Sequence, residues 1–156
     1  MDEPWPVPSN QRQVGGDHYA SGYQHWDWVS HLGLGYLEGC ATKYVARCRK
    51  KGGGQDLDKA VHYLDKLIEQ NRSRPFRVVH APQQVFELCD SFGRHNQLSY
   101  LQTKILTLIA GWTTTGDLLE AQGLIFQLKA ALNAVPLTEE NKHAQRVGQS
   151  DQEYNP

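Results

Sequence analysis

The sequence predicts an all-α fold, a small bundle built from two helical hairpins. Three observations carry that prediction: apolar residues recur at spacings of three and four throughout the middle of the chain, no period-two run is bounded by hairpin turns, and one hairpin pattern recurs farther along. With 156 residues the chain has material for one compact domain with extensions and not for a large two-domain catalytic architecture.

Taken in order, residues 1–13 form a tail, since residues 1–16 carry three prolines, two glycines and scattered polar residues. Helices are expected over 24–33, 35–51, 55–72, 83–93, 97–112 and 116–134, with ends good to roughly two to four residues. Residues 14–75 form a first helical unit, 76–137 a second that serves packing or oligomerisation, and 138–156, without Leu, Ile or Phe, a second tail.

The helix over 55–72 has the cleanest pattern. Leu57, Ala60, Val61, Leu64, Leu67 and Ile68 fall within about 120° of arc, opposite Asp58, His62, Asp65 and Glu69. Gly52-Gly53-Gly54 precedes it and lets the chain reverse, so the helices on either side should form an antiparallel hairpin, with Asp56 capping the second.

A shift of 61 residues lays this hairpin on another. Thr42-Lys43 falls on Thr103-Lys104, Asp56-Leu57 on Asp117-Leu118 and Ala60 on Ala121, while Val45, Cys48, Leu64 and Leu67 meet Leu106, Ile109, Ile125 and Leu128. The first copy is charged and the second apolar. Leu119 and Phe126 lie on the far side of helix 116–134, which predicts that another element or a second subunit covers them, and hence a homo-oligomer.

Charge and composition exclude several classes. Sixteen Lys and Arg balance seventeen Asp and Glu, so no overall basic field marks a nucleic-acid binder. At a mean hydropathy of −0.60 and without an apolar run of the ~18 residues a span needs, no membrane partner is expected. The first residues lack the pattern of a secretory signal, and Cys40, Cys48 and Cys89 form neither a disulfide framework nor a zinc site, so reduced thiols and a cytoplasmic location are expected. No Walker loop, HExxH or Gly-x-Ser-x-Gly element occurs.

One stretch points to anion chemistry. From Gly39 to Gln55 there is no acidic residue, but there are five cations, Lys43, Arg47, Arg49, Lys50 and Lys51. On a helical wheel Lys43, Arg47 and Lys50 share one stripe beside the apolar face, while Arg49 points away. The plain reading is a solvated face with cations near a helix C-terminus; the functional one is a phosphate stripe. Upstream, Gly15-Gly16-Asp17-His18-Tyr19 offers a permissive backbone, a carboxylate, an imidazole and a phenol, and Trp26 is placed to stack on a base or to pack.

GGDHY at 15–19, EGCATKYVARCRKKGG at 38–53 and DLDKAVHYLDKLIE at 56–69 together resemble a small family of tailed bacteriophages and prophages, mostly of unknown function. One branch, in podovirus-type coliphages, is a nucleotide kinase that phosphorylates deoxynucleoside monophosphates without a P-loop. The similarity spans residues 14–72. It implies nucleotide contacts from His18, Tyr19, Lys43, Tyr44, Arg47, Lys50 and Lys51, with Trp26 added from the residue reading. His18 and Asp17 are the expected catalytic pair, ATP is the implied phosphoryl donor, and Mg²⁺ is left open with no metal ligand assigned. Where the family often has Gly-Asn before Lys-Tyr, this chain has Gly39-Cys40, a departure that bears on turnover more than on fold.

Phosphoryl transfer asks mainly for positioning and charge neutralisation, which such a stripe with His18 could supply. The leading expectation is therefore a phage-type nucleotide-binding protein with a kinase as its finer form. The alternative is a non-catalytic protein that sequesters nucleotides or nucleotide-like signals as a counter-defence. Nucleic-acid binding by residues 43–51 ranks third, because the stripe is short and the chain slightly acidic.

Overall fold

The computed structural model describes residues 9–11, 22–71 and 80–134; the expectations for Asp17, His18 and Tyr19 and for the two tails beyond these ranges lie outside the described residues. A 3₁₀ turn, Ser9–Gln11, precedes six helices: α1 His25–Leu32, α2 Tyr36–Arg47, α3 Gly53–Asn71, α4 Pro82–His95, α5 Tyr100–Gly111 and α6 Thr115–Ala134. There is no strand among the described residues, and the all-α helical bundle is as expected.

Local chemistry sets the ends. α1 stops where Gly33 takes the left-handed conformation, φ 58°, and the N–H groups of Gly33 and Leu34 return to the carbonyls of Ser30 and Val29. α4 begins with proline, whose missing N–H costs nothing in a first turn. α5 starts with a capping box in which the Ser99 hydroxyl accepts from Gln102 N–H and the Gln102 side chain accepts from Ser99 N–H. At α6, Asp117 accepts the backbone N–H groups of Thr113 and Thr114 at 2.8 and 2.9 Å, and these bonds, Thr114's first, hold its carboxyl below the usual range.

Four helices close a ring. α2 packs on α3, α3 on α6, α6 on α5 and α5 back on α2, while α1 lies against α2 and α4, and α4 against α5. Facing pairs from the two hairpins run antiparallel. Asp58 meets Lys129 while Asp65 meets Gln122, and Val45 meets Gln102 while Glu38 meets Trp112. The shared core joins Ala41, Val45, Leu57, Leu64, Ile105, Ile109, Leu118 and Ile125 with Trp28, which stacks on Phe92 at 5.0 Å. The cysteines are free, and burial pushes the Cys48 and Cys89 thiols up to about 11.

The 61-residue register describes α3 and α6 well. Leu57, Ala60, Leu64 and Leu67 are buried, as are Leu118, Ala121, Ile125 and Leu128. In α2 and α5 the correspondence is 64 residues instead: Tyr36 matches Tyr100, Arg47 matches Gly111, and the Glu38–Trp112 bond has its reciprocal in Gln102–Cys48. The turn joining α5 to α6 is two residues shorter and α6 starts one residue later in its register, which together absorb the three residues. Lys43 therefore corresponds to Thr107, and Lys104, expected as its counterpart, aligns with Cys40 and sits 3.9 Å from Glu120.

Regular helix in α2 also ends earlier than the expected residue 51. The N–H groups of Lys50 and Lys51 both bond to Arg47 O, and Gly53 N–H reaches back to Cys48 O, so residues 48–52 form a hydrogen-bonded turn. Gly53, at φ 52°, completes the reversal. On α6, Leu119 and Phe126 remain 56% and 55% exposed in the single chain.

Candidate functional site

Lys43, Arg47 and Lys50, expected on one stripe, do not share one. Arg47 turns toward α3, where its Nε and Nη2 donate to the two oxygens of Asp56 at 2.8 and 3.0 Å, and Asp56 is 1% exposed. Asp56 is thus the buried partner of Arg47 and not a helix cap as expected. Its counterpart Asp117 does cap, because α5 ends in Gly111 where α2 has Arg47. Gly52 must be glycine here, since a Cβ would come within 2.0–2.3 Å of the Asp56 carboxylate. Lys50 and Lys51 are exposed in the turn after α2, away from helical phase with Lys43.

Lys43 stands apart. It lines a cavity of about 340 Å³ between α1 and α2, with Val29 and Leu34 half-buried in the lining, Trp26 and Tyr36 exposed, and Gly35 and Gly39 backed by the Glu38 carboxylate and the Val29 side chain. Trp26 and Tyr36 are 48% and 75% exposed, so both rings are open to solvent. Among the described residues that line this cavity there is no carboxylate, and Lys43 makes no ion pair with any of the described residues.

His25 is its neutral neighbour. The Thr42 hydroxyl donates its proton to Glu38 O at 2.8 Å, so the 3.0 Å contact with His25 Nε2 requires that nitrogen to be the donor and leaves the lone pair on Nδ1. Burial, and then the Lys43 charge, push the imidazole down to about 4. At neutral pH His25 therefore adds no charge, and Lys43 is the cavity's formal charge.

Trp26 is positioned from upstream. Its Nε1 donates to Asn10 Oδ1 at 2.6 Å, while Asn10 Nδ2 donates to Asp27 at 2.7 Å and Asn10 O accepts from Gln24 Nε2 at 2.9 Å. The 3₁₀ turn is thereby fastened to the first turn of α1. Core packing falls to Trp28, which is fully buried, so Trp26 is free of that duty.

Tyr44, the next residue, is turned about 100° around α2 from Lys43 and meets α3. It stacks on Tyr63 of α3 at 5.8 Å and 20°, beneath the Arg47 guanidinium at 4.8 Å. Hydrogen bonding with Tyr36, aided by Cys40, pushes the Tyr63 phenol up to about 12. The structure thus brings Trp26 and Lys43 together, places Tyr44 and Arg47 on another face, and puts Lys50 and Lys51 in a turn. Tyr36, Tyr63, Lys59 and His25 were not singled out as site residues from sequence. A usable signal existed for Tyr63, which flanks the apolar stripe of α3 one residue before Leu64.

Comparison with family models, with curated proteins and with solved structures finds no match. Among the described residues no helix is long and apolar enough to cross a membrane, and no group of three or more His, Cys, Asp or Glu is gathered to hold a metal ion.

Proposed function

We propose that this chain is a nucleotide-binding protein of the phage type its sequence resembles, with the phosphate held by Lys43 in the α1–α2 cavity and the base against Trp26 or Tyr36. One observation carries the reading: Lys43 is the formal charge of a cavity lined by Trp26, Tyr36, Val29 and Leu34, with no lining carboxylate among the described residues. A concave, largely apolar site with few polar groups suits a small ligand, and an unpaired ammonium suits an anion.

The finer form is a deoxynucleoside monophosphate kinase using ATP, with or without Mg²⁺, in which His18 and Asp17 do the chemistry. The second reading, sequestration without turnover, draws support from the described lining, in which no carboxylate for Mg²⁺ occurs among the described residues and the imidazole of His25 lies far below neutral pH. Self-association through Leu119 and Phe126, and a place in the cytoplasm of a bacterial host, complete the proposal. Nucleic acid ranks below a free nucleotide because the cations are dispersed over separate faces.

Incubating the protein with ATP and a deoxynucleoside monophosphate, followed by ion-exchange chromatography, tests the reading. A diphosphate product supports the kinase; stoichiometric retention of unchanged nucleotide supports sequestration. Absence of both product and retained nucleotide overturns the proposal.

A further inference from the structure

The face of α2 that carries Tyr44 builds a second recess with α3, about 500 Å³ in volume and lined by Tyr44, Gln55, Asp58, Lys59, His62 and Tyr63. That volume lies within the roughly 300–1,000 Å³ of small-molecule sites. Five of these residues come from α3 at the spacing of one helix face, a face the sequence pattern alone reads as solvated. The recess shares no lining residue with the Lys43 cavity.

Its composition is specific. Tyr44 and Tyr63 are parallel rings, and Tyr36 meets the Tyr63 ring edge-on at 6.1 Å, so three tyrosines from two helices form one aromatic wall. Tyr44 and Tyr63 pack half-buried on the core over Leu57, Ala60 and Leu64, while Tyr36 is largely exposed. The Lys59 ammonium lies 5.4 Å from the Tyr44 ring centroid and only loosely against Asp56, at 3.8 Å, with its side chain 44% exposed. The Asp58 carboxylate is bonded to Lys129 of α6, which offsets its charge. Gln55 supplies an amide that both donates and accepts, and His62 an imidazole beside Tyr63.

We infer that this recess is a second binding site, separate from the Lys43 cavity, for a nucleoside phosphate whose base stacks on the Tyr44–Tyr63 wall and whose phosphate is met by Lys59. A planar ring gains from an aromatic wall whatever its edge pattern, and the amide of Gln55 gives the ring's polar edge a partner. The cation at one end of the wall selects the phosphorylated form over the bare nucleoside. Tyr36 borders both sites, but Lys43 lines only the first and Lys59 only the second, so their variants let the two readings fail separately.

Equilibrium dialysis of the full chain with labelled deoxyadenosine monophosphate reads both sites. Two nucleotides per chain are expected. Tyr63→Leu, which keeps an apolar contact but removes the ring, should weaken one of them about tenfold or more, and Tyr63→Phe should restore it. Lys59→Gln, at an exposed position, should weaken the monophosphate at that site but leave deoxyadenosine unchanged, while Lys43→Ala should remove only the other nucleotide. Thermal melting of each variant alongside the parent identifies loss of fold. If folded Tyr63→Leu and Lys59→Gln both leave the two nucleotides bound as in the parent, the inference is overturned while the Lys43 reading stands. If only Lys43→Ala has no effect, the reverse holds. A single nucleotide lost equally in all variants overturns the separation of the sites, and no binding in the parent overturns both. A ten-residue oligodeoxynucleotide that binds the recess more than tenfold more tightly than the monophosphate assigns it to a strand and overturns the free-nucleotide ligand.

Discussion

Replacing Arg47 by alanine should test whether this residue is an anion ligand or a structural clamp. In the fold its guanidinium makes two bonds, 2.8 and 3.0 Å, to a carboxylate that is 1% exposed. Removing one partner of such a pair strands a buried charge, which typically costs about 3–5 kcal/mol. Lys59, 3.8 Å from the same carboxylate, can move in and recover part of that, so the low end, about 3 kcal/mol, is expected. Urea denaturation at pH 7 measures it. Asp56→Asn alone should also destabilise, and the double variant should lose about 2 kcal/mol less than the two single losses together, because each change removes the reason for the other's penalty. A change within about 0.5 kcal/mol for Arg47→Ala, or strict additivity in the cycle, would refute the clamp.

Other outcomes follow from the same geometry. His25 has an ordinary value of 6.5 that burial lowers to about 4, so below pH 6.5 the unfolded chain takes up a proton the fold refuses. Stability should fall by about 3 kcal/mol between pH 6.5 and 4 and level off beneath; His25→Gln should flatten that slope, and parallel profiles would contradict the assignment. Gly52→Ala drives a methyl into the Asp56 carboxylate and should cost about 2 kcal/mol in the parent but much less in Arg47→Ala, where the carboxylate is no longer fixed. Sedimentation at micromolar concentration should show an oligomer that Phe126→Lys converts to monomer, since Leu119 and Phe126 otherwise stay uncovered; a monomeric parent counts against self-association.

Sequence reasoning reached the helices because their apolar phase is strong. In α3, Leu57, Ala60, Leu64 and Leu67 are buried as the 3.6-residue period requires. It misplaced the register of α2 against α5, since Val45 and Cys48 meet apolar residues under a shift of 61 or 64 and only the reciprocal bonds of Glu38 and Gln102 distinguish them. The cationic stripe was legible as composition but not as a site. A wheel drawn for one helix cannot show that Asp56, nine residues on and in the next helix, turns back to take Arg47. Nor could it show that Lys43 faces α1, since α1 and α2 meet through tertiary packing. The tyrosine wall escaped for the same reason: Tyr44 and Tyr63 come together only when the hairpin closes.

Calorimetric titration of the parent, Lys43→Ala and Lys104→Ala with a deoxynucleoside monophosphate tests the central claim most directly. Lys43 faces a cavity without a lining carboxylate among the described residues, so its loss should weaken binding there by about 1.5–3 kcal/mol, the scale of a charge-assisted hydrogen bond, with thermal stability unchanged. Lys104 sits on the surface near Glu120, and its removal should shift affinity by less than about 1 kcal/mol. Equal affinity in the parent and Lys43→Ala would contradict a phosphate site at Lys43.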